Sequence, residues 1–175
     1  MTVKFVVWVL VTYLLLAVLS PVLGYLDAQL FAPDIALITA LFVGSRSDLT
    51  PALLTGFAAG LLKDGFSLSA PLGTYTEINV LVVLLARLLH NRVDLVSPMP
   101  VMATAAATSM LATAAFLGLE AVFHRSFDAY GAVVATALPL ALTTMLWAPA
   151  QFWMLQRSSR RFDQTRRGTV LLRRP

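Results

Sequence analysis

The chain has 175 residues, 58% of them hydrophobic and only 13% charged, against roughly 45–50% and about 25% in soluble globular domains. This composition argues against a water-soluble fold, because so few charged residues cannot cover so much apolar surface, whereas a bilayer accepts apolar side chains on the outside. Cysteine is absent, which excludes disulfides and thiolate metal sites, and the net charge of +4 comes from a basic C-terminal tail.

The first predicted element is a membrane-spanning helix at Phe5–Leu26. These 22 residues carry no charge and follow Lys4. At about 1.5 Å rise per residue they are long enough for a hydrocarbon core of about 30 Å. The run is longer than the apolar region of a cleaved signal peptide and has no A-x-A site, so we expect the segment to stay in the protein.

Two short apolar segments follow, at Ile35–Gly44 and Pro51–Leu62. Pro33 and Pro51 suit the first helical positions of these segments. Even with flanking residues each helix reaches only about 24–27 Å, so neither spans a bilayer comfortably. Three arrangements stay open, in which the helices thin the bilayer, pack inside the protein or form a re-entrant hairpin. In each arrangement the chain returns to the side it left.

The fourth predicted helix, Leu72–Leu89, contains Glu77 in an otherwise apolar segment. A carboxylate in hydrocarbon costs about 2.5–3.5 kcal/mol on insertion scales, so we expect Glu77 to face inward, toward protein or water, or to stay protonated. Asn79 is close by in sequence, and Lys63 at the end of helix three is a candidate partner. Two interpretations stay open, a polar clasp between helices three and four, or a polar pocket or partner contact.

The last two predicted spans are Leu95–Leu119 and Ala129–Gln156. The first is 25 uncharged residues long, and Pro98 suits its first helical position. The second is 28 uncharged residues long and is broken by Pro139 and Pro149. Six crossings result. The sequence therefore predicts an all-α integral membrane protein, a six-helix bundle in which helices two and three are short.

Basic residues set the predicted orientation. With six crossings, one side of the membrane receives eleven of the 13 Lys and Arg residues and both termini. The positive-inside rule makes this side the cytoplasm. We therefore divide the chain into a six-helix transmembrane domain at 1–156 and a basic cytoplasmic tail at 157–175. Five arginines of the tail are expected to face lipid: Arg157, Arg160, Arg161, Arg166 and Arg167.

Three roles stay open for this tail. It could bind anionic lipid, bind a cytoplasmic protein, or act only as a topology signal. Nucleic acid is not an expected partner, because so short a tail offers no folded reading surface.

Small residues predict two close helix contacts. Gly56 and Gly60 form a G-x-x-x-G pair in helix three. Packing within the chain is the default expectation for such faces, since the motif does not distinguish an internal contact from a contact with another subunit. A second face of this kind runs along helix five and comprises Ala103, Ala107, Leu111 and Ala115.

The sequence offers no constellation for catalysis. It contains no phosphate-binding loop, zinc-protease motif or nucleophile elbow. His90 and His124 fall on opposite faces of the membrane in the predicted topology, so they cannot share a metal or complete a triad. We therefore expect a non-enzymatic protein with no catalytic residue, no metal and no cofactor.

The segment between residues 33 and 73 is the most specific feature of the sequence. In chain order its pieces are a Pro-Asp helix start, a G-x-x-x-G-L-x-x-D helix end and a Pro-Leu-Gly restart, at Pro33-Asp34, Gly56 to Asp64, and Pro71 to Gly73. In order and spacing they resemble the rod shape-determining protein MreD family. Length, hydropathy and basic cytoplasmic ends agree with this resemblance over the rest of the chain.

The resemblance implies a subunit of the cell-wall elongation (rod) complex in the bacterial cytoplasmic (inner) membrane. Such a subunit binds the single-span scaffold protein MreC and helps to maintain cell shape, with links to the filament protein MreB and to the peptidoglycan glycosyltransferase and transpeptidase pair. The implied fold is that of the substrate-binding component of vitamin (ECF-type) transporters. The expected partner or structural motif comprises Pro33, Asp34, Gly56, Gly60, Asp64, Pro71, Gly73 and Glu77.

Within this motif, Asp64 can either meet Lys63 or cap backbone donors of the turn that follows. Gly65 can end helix three in the left-handed conformation, and Pro71 with Gly73 can fix a tight re-entry. The resemblance also raises the chance that this outer loop and the short helices form a partner surface.

The same fold kinship supplies an alternative function, a substrate-binding subunit of a vitamin uptake transporter. Glu77, Asn79 and Tyr75 would then line a small-molecule pocket near the outer face. Helix one has only Ala17 where such subunits present an Ala-x-x-x-Ala face, which counts against this alternative.

Overall fold

The computed structural model describes residues 2–26, 28, 31–67, 72–90, 95, 97–123 and 130–171, and for 2–3, 123 and 160–171 it describes the backbone alone. These residues form α-helices and no strand, which confirms the all-α class. Helices α1, α5 and α6 are long and apolar enough to cross a membrane. The six helices are α1 Thr2–Tyr25, α2 Ile35–Arg46, α3 Leu49–Phe66, α4 Thr74–Leu89, α5 Pro98–Phe123 and α6 Tyr130–Leu171.

Helix α2 lies at the centre of the bundle. Within the described ranges it contacts each of the other five helices, which form a ring around it in the order α1, α3, α4, α5, α6 and back to α1. Every residue from Ile35 to Ser45 is buried. A helix that is apolar all round is typically a buried one, and at 12 residues, about 18 Å, this one is too short to span a bilayer. Of the three arrangements open for this segment, packing inside the protein is the observed one.

Glycines bring α4 into close contact with α2 and α3. A Cβ atom on Gly60 would lie 2.5 Å from the Thr76 Cα and 2.8 Å from the Tyr75 carbonyl oxygen, both backbone atoms of α4. One on Gly44 of α2 would lie 2.7 Å from the carbonyl oxygen of Val83. At Gly56 the nearest atom is a methyl carbon of Val83, at 2.5 Å. The G-x-x-x-G pair therefore packs within the chain, as expected.

The small-residue face predicted on α5 packs internally only at Ala115, which is partly buried and lies against the hydrophobic core. Ala103, Ala107 and Leu111 are exposed. Helix α5 packs mainly through a different face, whose buried residues include Val101, Ala105, Thr108 and Ser109. The expectation of internal packing is wrong for the first three residues of the stripe, because the apolar residues of α5 surround the helix and do not single out one side.

Helix α6 is continuous where the sequence suggested breaks. It runs from Tyr130 to Leu171 with Pro139 and Pro149 inside it. Proline is tolerated in a membrane helix when neighbouring helices and Ser or Thr side chains satisfy the backbone groups that it frees. The predicted boundary between residues 156 and 157 thus falls inside a helix that carries the basic tail.

An aromatic layer marks one end of the bundle. Phe42 of α2 makes edge-on ring contacts with Trp8 of α1 and Phe152 of α6, with centroids 5.8 and 5.2 Å apart. Cations follow this layer within one or two helical turns: Lys4, Arg46 and Arg157. The start of α1 and the basic extension of α6 therefore lie at the same end of the bundle.

Candidate functional site

A polar cluster occupies the opposite end of α2, and its members are Asp34, Lys63, Asp64, Tyr75 and Thr76. Asp34 is the N-cap of α2, and its side chain accepts a hydrogen bond from the Leu37 amide at 3.1 Å. Its own amide donates to the Thr144 hydroxyl of α6 at 3.0 Å. Pro33 precedes this cap, so it is not the first helical residue that the sequence suggested.

Lys63 joins three helices at this cluster. Its Nζ lies 2.5 Å from the Asp34 Oδ2, and the two side chains are 21% and 6% exposed. The same ammonium lies over the Tyr75 ring, 4.0 Å from the centroid. The Tyr75 ring in turn stacks on Phe116 of α5 at 5.7 Å. Removal of either partner of this largely buried ion pair should destabilise the fold, because the remaining charge would be buried without an opposite charge beside it.

Asp64 caps α4 from the end of α3. Its carboxylate accepts hydrogen bonds from the Tyr75 amide at 3.0 Å, the Thr76 amide at 3.1 Å and the Thr76 hydroxyl at 2.6 Å. Gly73, the residue before α4, has no side chain for this role and adopts φ +105°, in the left-handed region that favours glycine. Capping by Asp64, one of the two roles that the sequence suggested, is thus the observed one.

Glu77 lies outside this cluster, and the prediction that it faces inward is wrong. Its side chain is exposed. Helix α4 begins at Thr74, two residues later than predicted, which places Glu77 in the first turn. A carboxylate there faces the positive end of the helix dipole and lies near the end of the helix, not in its apolar middle. Lys63, its predicted partner, pairs with Asp34 instead.

The remaining motif residues have mixed outcomes. Gly65 belongs to α3, which continues to Phe66, so it does not end the helix in the left-handed conformation. Pro71 lies outside the described residues, and so does its predicted part in the re-entry. In the tail the side chain of Arg157 is exposed, with its Cζ 5.2 Å from the centroid of the Trp153 ring. The other four named arginines belong to α6, and the structure describes their backbone alone: Arg160, Arg161, Arg166 and Arg167.

A second buried polar group, missed in the sequence, crosses the middle of the bundle. Gln151 of α6 donates to the Ile35 carbonyl and to the Thr39 hydroxyl of α2, each at 2.9 Å. The Thr39 hydroxyl also lies 2.8 Å from that of Thr12 in α1. Gln151 is fully buried. The sequence did contain a signal for this contact, because Gln151 is a polar residue within the 28 uncharged residues of the last predicted span. A polar side chain in hydrocarbon needs a hydrogen-bond partner inside the protein.

The polar side chains of the cluster and of Gln151 form hydrogen bonds and an ion pair between helices. Both cluster carboxylates accept hydrogen bonds that fix helix ends, and Asp34 also compensates Lys63. The part of the chain that the structure describes contains no group of three or more residues able to hold a metal ion. These contacts hold α2, α3 and α4 together as one unit. Further contacts described above connect this unit to α5 and α6.

The comparisons with known proteins add no relative. No protein-family model matches the chain, and neither the curated proteins nor the solved structures include a match.

Proposed function

We propose that this chain is a non-enzymatic membrane subunit of the bacterial cell-wall elongation (rod) complex, which binds an MreC-type single-span scaffold protein. The observation that supports this proposal most is the use made of the motif residues. Asp34 and Asp64 fix the starts of α2 and α4, and Gly56 and Gly60 bring α3 against α4. The motif residues hold the helices of the bundle together. This structural use is consistent with a subunit that acts by assembling with other proteins.

In this proposal six helices lie in the bacterial inner membrane, with α2 shielded by the ring of the other five. Both termini face the cytoplasm. Two points support this orientation: Lys4 and Arg157 lie near the same aromatic layer, and the predicted six-crossing topology assigns eleven of the 13 basic residues to that side. Positive charge marks the cytoplasmic side of membrane proteins.

The proposed mechanism is assembly. The scaffold protein docks on a bundle whose shape the polar cluster and the glycine contacts hold constant. Through that scaffold the bundle is linked to the MreB-type filament and to the glycosyltransferase and transpeptidase pair. Preorganisation of this kind favours binding, because the subunit does not have to be ordered when its partner arrives.

The alternative, capture of a vitamin, has less support from the described residues. Its pocket requires Glu77, Asn79 and Tyr75 to converge. Glu77 is exposed, whereas Asn79 is 2% exposed and donates to the Tyr75 carbonyl at 2.8 Å. Residues two apart on a helix do not face the same way. The Tyr75 ring is already in contact with Lys63 and Phe116.

Purification in mild detergent tests the proposal. The tagged chain is co-expressed with the MreC-type protein of the same bacterium, and with an unrelated single-span protein as the control. We expect retention of the first and not of the second. Mass spectrometry of the same sample reports bound small molecules. A bound vitamin without the scaffold protein would overturn the assembly role in favour of capture.

A pair of variants connects the fold to cell shape. Gly60→Leu places a side chain against the backbone of α4, so cells that depend on this variant should become rounded. Gly65→Leu is the matched control in the same helix, because a Cβ at Gly65 has no neighbour within 4 Å. Its cells should stay elongated. Unchanged shape with both variants, at normal protein levels, would contradict the proposal.

A further inference from the structure

We propose that Arg157, Arg160 and Arg161 bind the phosphate groups of anionic phospholipids, and that Arg166 and Arg167 lie too far from the bilayer to do so. We call the first three the proximal arginines and the last two the distal arginines. This inference concerns the tail alone and does not depend on the proposed function.

The position of the membrane boundary comes from the helices themselves. The layer formed by Trp8, Phe42 and Phe152 lies within one or two helical turns of the cations, and the last buried core residue of α6 before them is Leu155. Trp153, in the next position of α6, is 59% exposed, as expected for a tryptophan in an interfacial belt. Arg157 is the first charged residue after 28 uncharged ones. The polar layer of the bilayer therefore begins close to Arg157.

The continuation of α6 then sets the depth of each arginine. The helix runs to Leu171 without interruption, so each residue adds at most about 1.5 Å of distance from the boundary. Arg160 and Arg161 lie about 4.5 and 6 Å beyond Arg157, inside a headgroup layer of about 5–7 Å per leaflet. In this proposal α6 continues along the bilayer normal, which places Arg166 and Arg167 about 13–15 Å beyond Arg157, outside that layer and past a Debye length of about 8 Å.

The register of α6 places the proximal arginines at positions on one side of the helix. Positions separated by three and four residues share one side of an α-helix, and Arg157, Arg160 and Arg161 have this spacing. Guanidinium groups bind phosphate oxygens bidentately, with more specificity than a simple point charge. The Arg157 guanidinium lies 5.2 Å from the centroid of the Trp153 ring, beside the tryptophan that marks the proposed membrane boundary.

Native mass spectrometry of the full-length chain in mild detergent tests this site. The probes are phosphatidylglycerol and phosphatidylcholine with identical acyl chains, so that only the headgroup charge differs. Three variants are compared with the wild type: R157Q/R161Q, the charge-matched R166Q/R167Q, and R157K/R161K. Circular dichroism and the elution volume of each variant report whether the bundle is intact.

We expect the wild-type chain to prefer phosphatidylglycerol and the proximal glutamine variant to lose roughly tenfold or more of that affinity. The distal variant should stay within about threefold of the wild type, and the lysine variant should fall in between. Equal losses in the two glutamine variants would overturn the assignment, because net charge alone would then explain binding. Equal binding of the two lipids would overturn it as well.

Two further arms separate the lipid from other anions. Inorganic phosphate and soluble glycerophosphoglycerol are added as competitors at millimolar concentration. Displacement of phosphatidylglycerol by inorganic phosphate at these concentrations would overturn the membrane assignment and indicate a general phosphate site. The proposal would also be contradicted if the proximal arginines bound an acidic cytoplasmic protein more strongly than they bind lipid.

Discussion

The short helices α2, α3 and α4 differ from the long helices α1, α5 and α6 in what holds them in place. The short helices meet through buried charges, capped helix ends and backbone contacts at glycine. The long helices present large apolar side chains outward along their length, such as Val18, Leu111 and Leu146, and among the short helices only α2 lacks such a face. Lipid solvates these side chains about as well as protein does, so exposure costs them little.

The difference teaches where specificity lies in this bundle. In lipid the hydrophobic effect does not drive one helix against another, so packing and polar contacts decide which helices associate. Most of the polar and glycine contacts described above involve α2, α3 or α4. We therefore expect substitutions in the short helices to change the free energy of unfolding far more than equivalent substitutions on the outer faces.

Removal of one charge from the polar cluster should have one of the two largest effects. Lys63→Met leaves the Asp34 carboxylate, 6% exposed, without its cation. We expect a loss of about 3 kcal/mol in the free energy of unfolding, measured by dodecyl sulfate titration from mild detergent. Asp34→Asn in the Lys63→Met background should recover part of this loss, because no uncompensated charge remains. Additive losses in the double variant would argue against the ion pair as the cause.

A leucine pair compares the central helix with the outer surface directly. Leu41 of α2 is 0% exposed and Leu111 of α5 is 56% exposed. Leu41→Ala opens a cavity and should cost about 2–5 kcal/mol in the same titration. Leu111→Ala should cost less than about 0.5 kcal/mol, because lipid fills the space. Similar losses at the two positions would remove the distinction between the two sets of helices.

A glycine pair measures the close approach of α3 and α4. Gly60→Ala should cost about 1–3 kcal/mol, because its Cβ meets backbone that cannot move alone. Gly65→Ala, in the same helix but with no neighbour within 4 Å, should be neutral or stabilising by up to about 1 kcal/mol. Thermal unfolding followed by circular dichroism would rank the two variants, and the reverse order would contradict the contact.

The smallest effects separate two carboxylates near the start of α4. Asp64→Ala removes the cap of that helix and should cost about 1–2 kcal/mol. Glu77→Gln changes an exposed side chain and should stay within about 0.5 kcal/mol of the wild type. The dodecyl sulfate titration of both variants checks this. A larger loss for Glu77→Gln would mean that its carboxylate has a structural role that its exposure does not indicate.

Some local features were readable in the sequence, whereas Pro33 and Gly65 do not take the helix-end roles predicted for them. The first helical position of Pro98, the close contact of the G-x-x-x-G pair and the capping role of Asp64 all follow from propensities and spacing. Glu77 was misjudged because a shift of two residues in the start of α4 moves it from the interior of a span to its first turn. Element boundaries of this kind depend on which residue caps the helix, and here that residue comes from another helix.

The composition and hydropathy of this chain by themselves determined that it is helical and has segments suited to a membrane, because a bilayer requires long apolar runs and satisfied backbone groups. Only the tertiary structure decided that α2 is the centre of a ring, that Lys63 pairs with Asp34, and that Gln151 reaches α2. These contacts join residues that are distant in sequence. The sequences of apolar helices with similar composition do not indicate which helices pack against each other. Side-chain packing and polar contacts in the folded bundle determine which helices become neighbours.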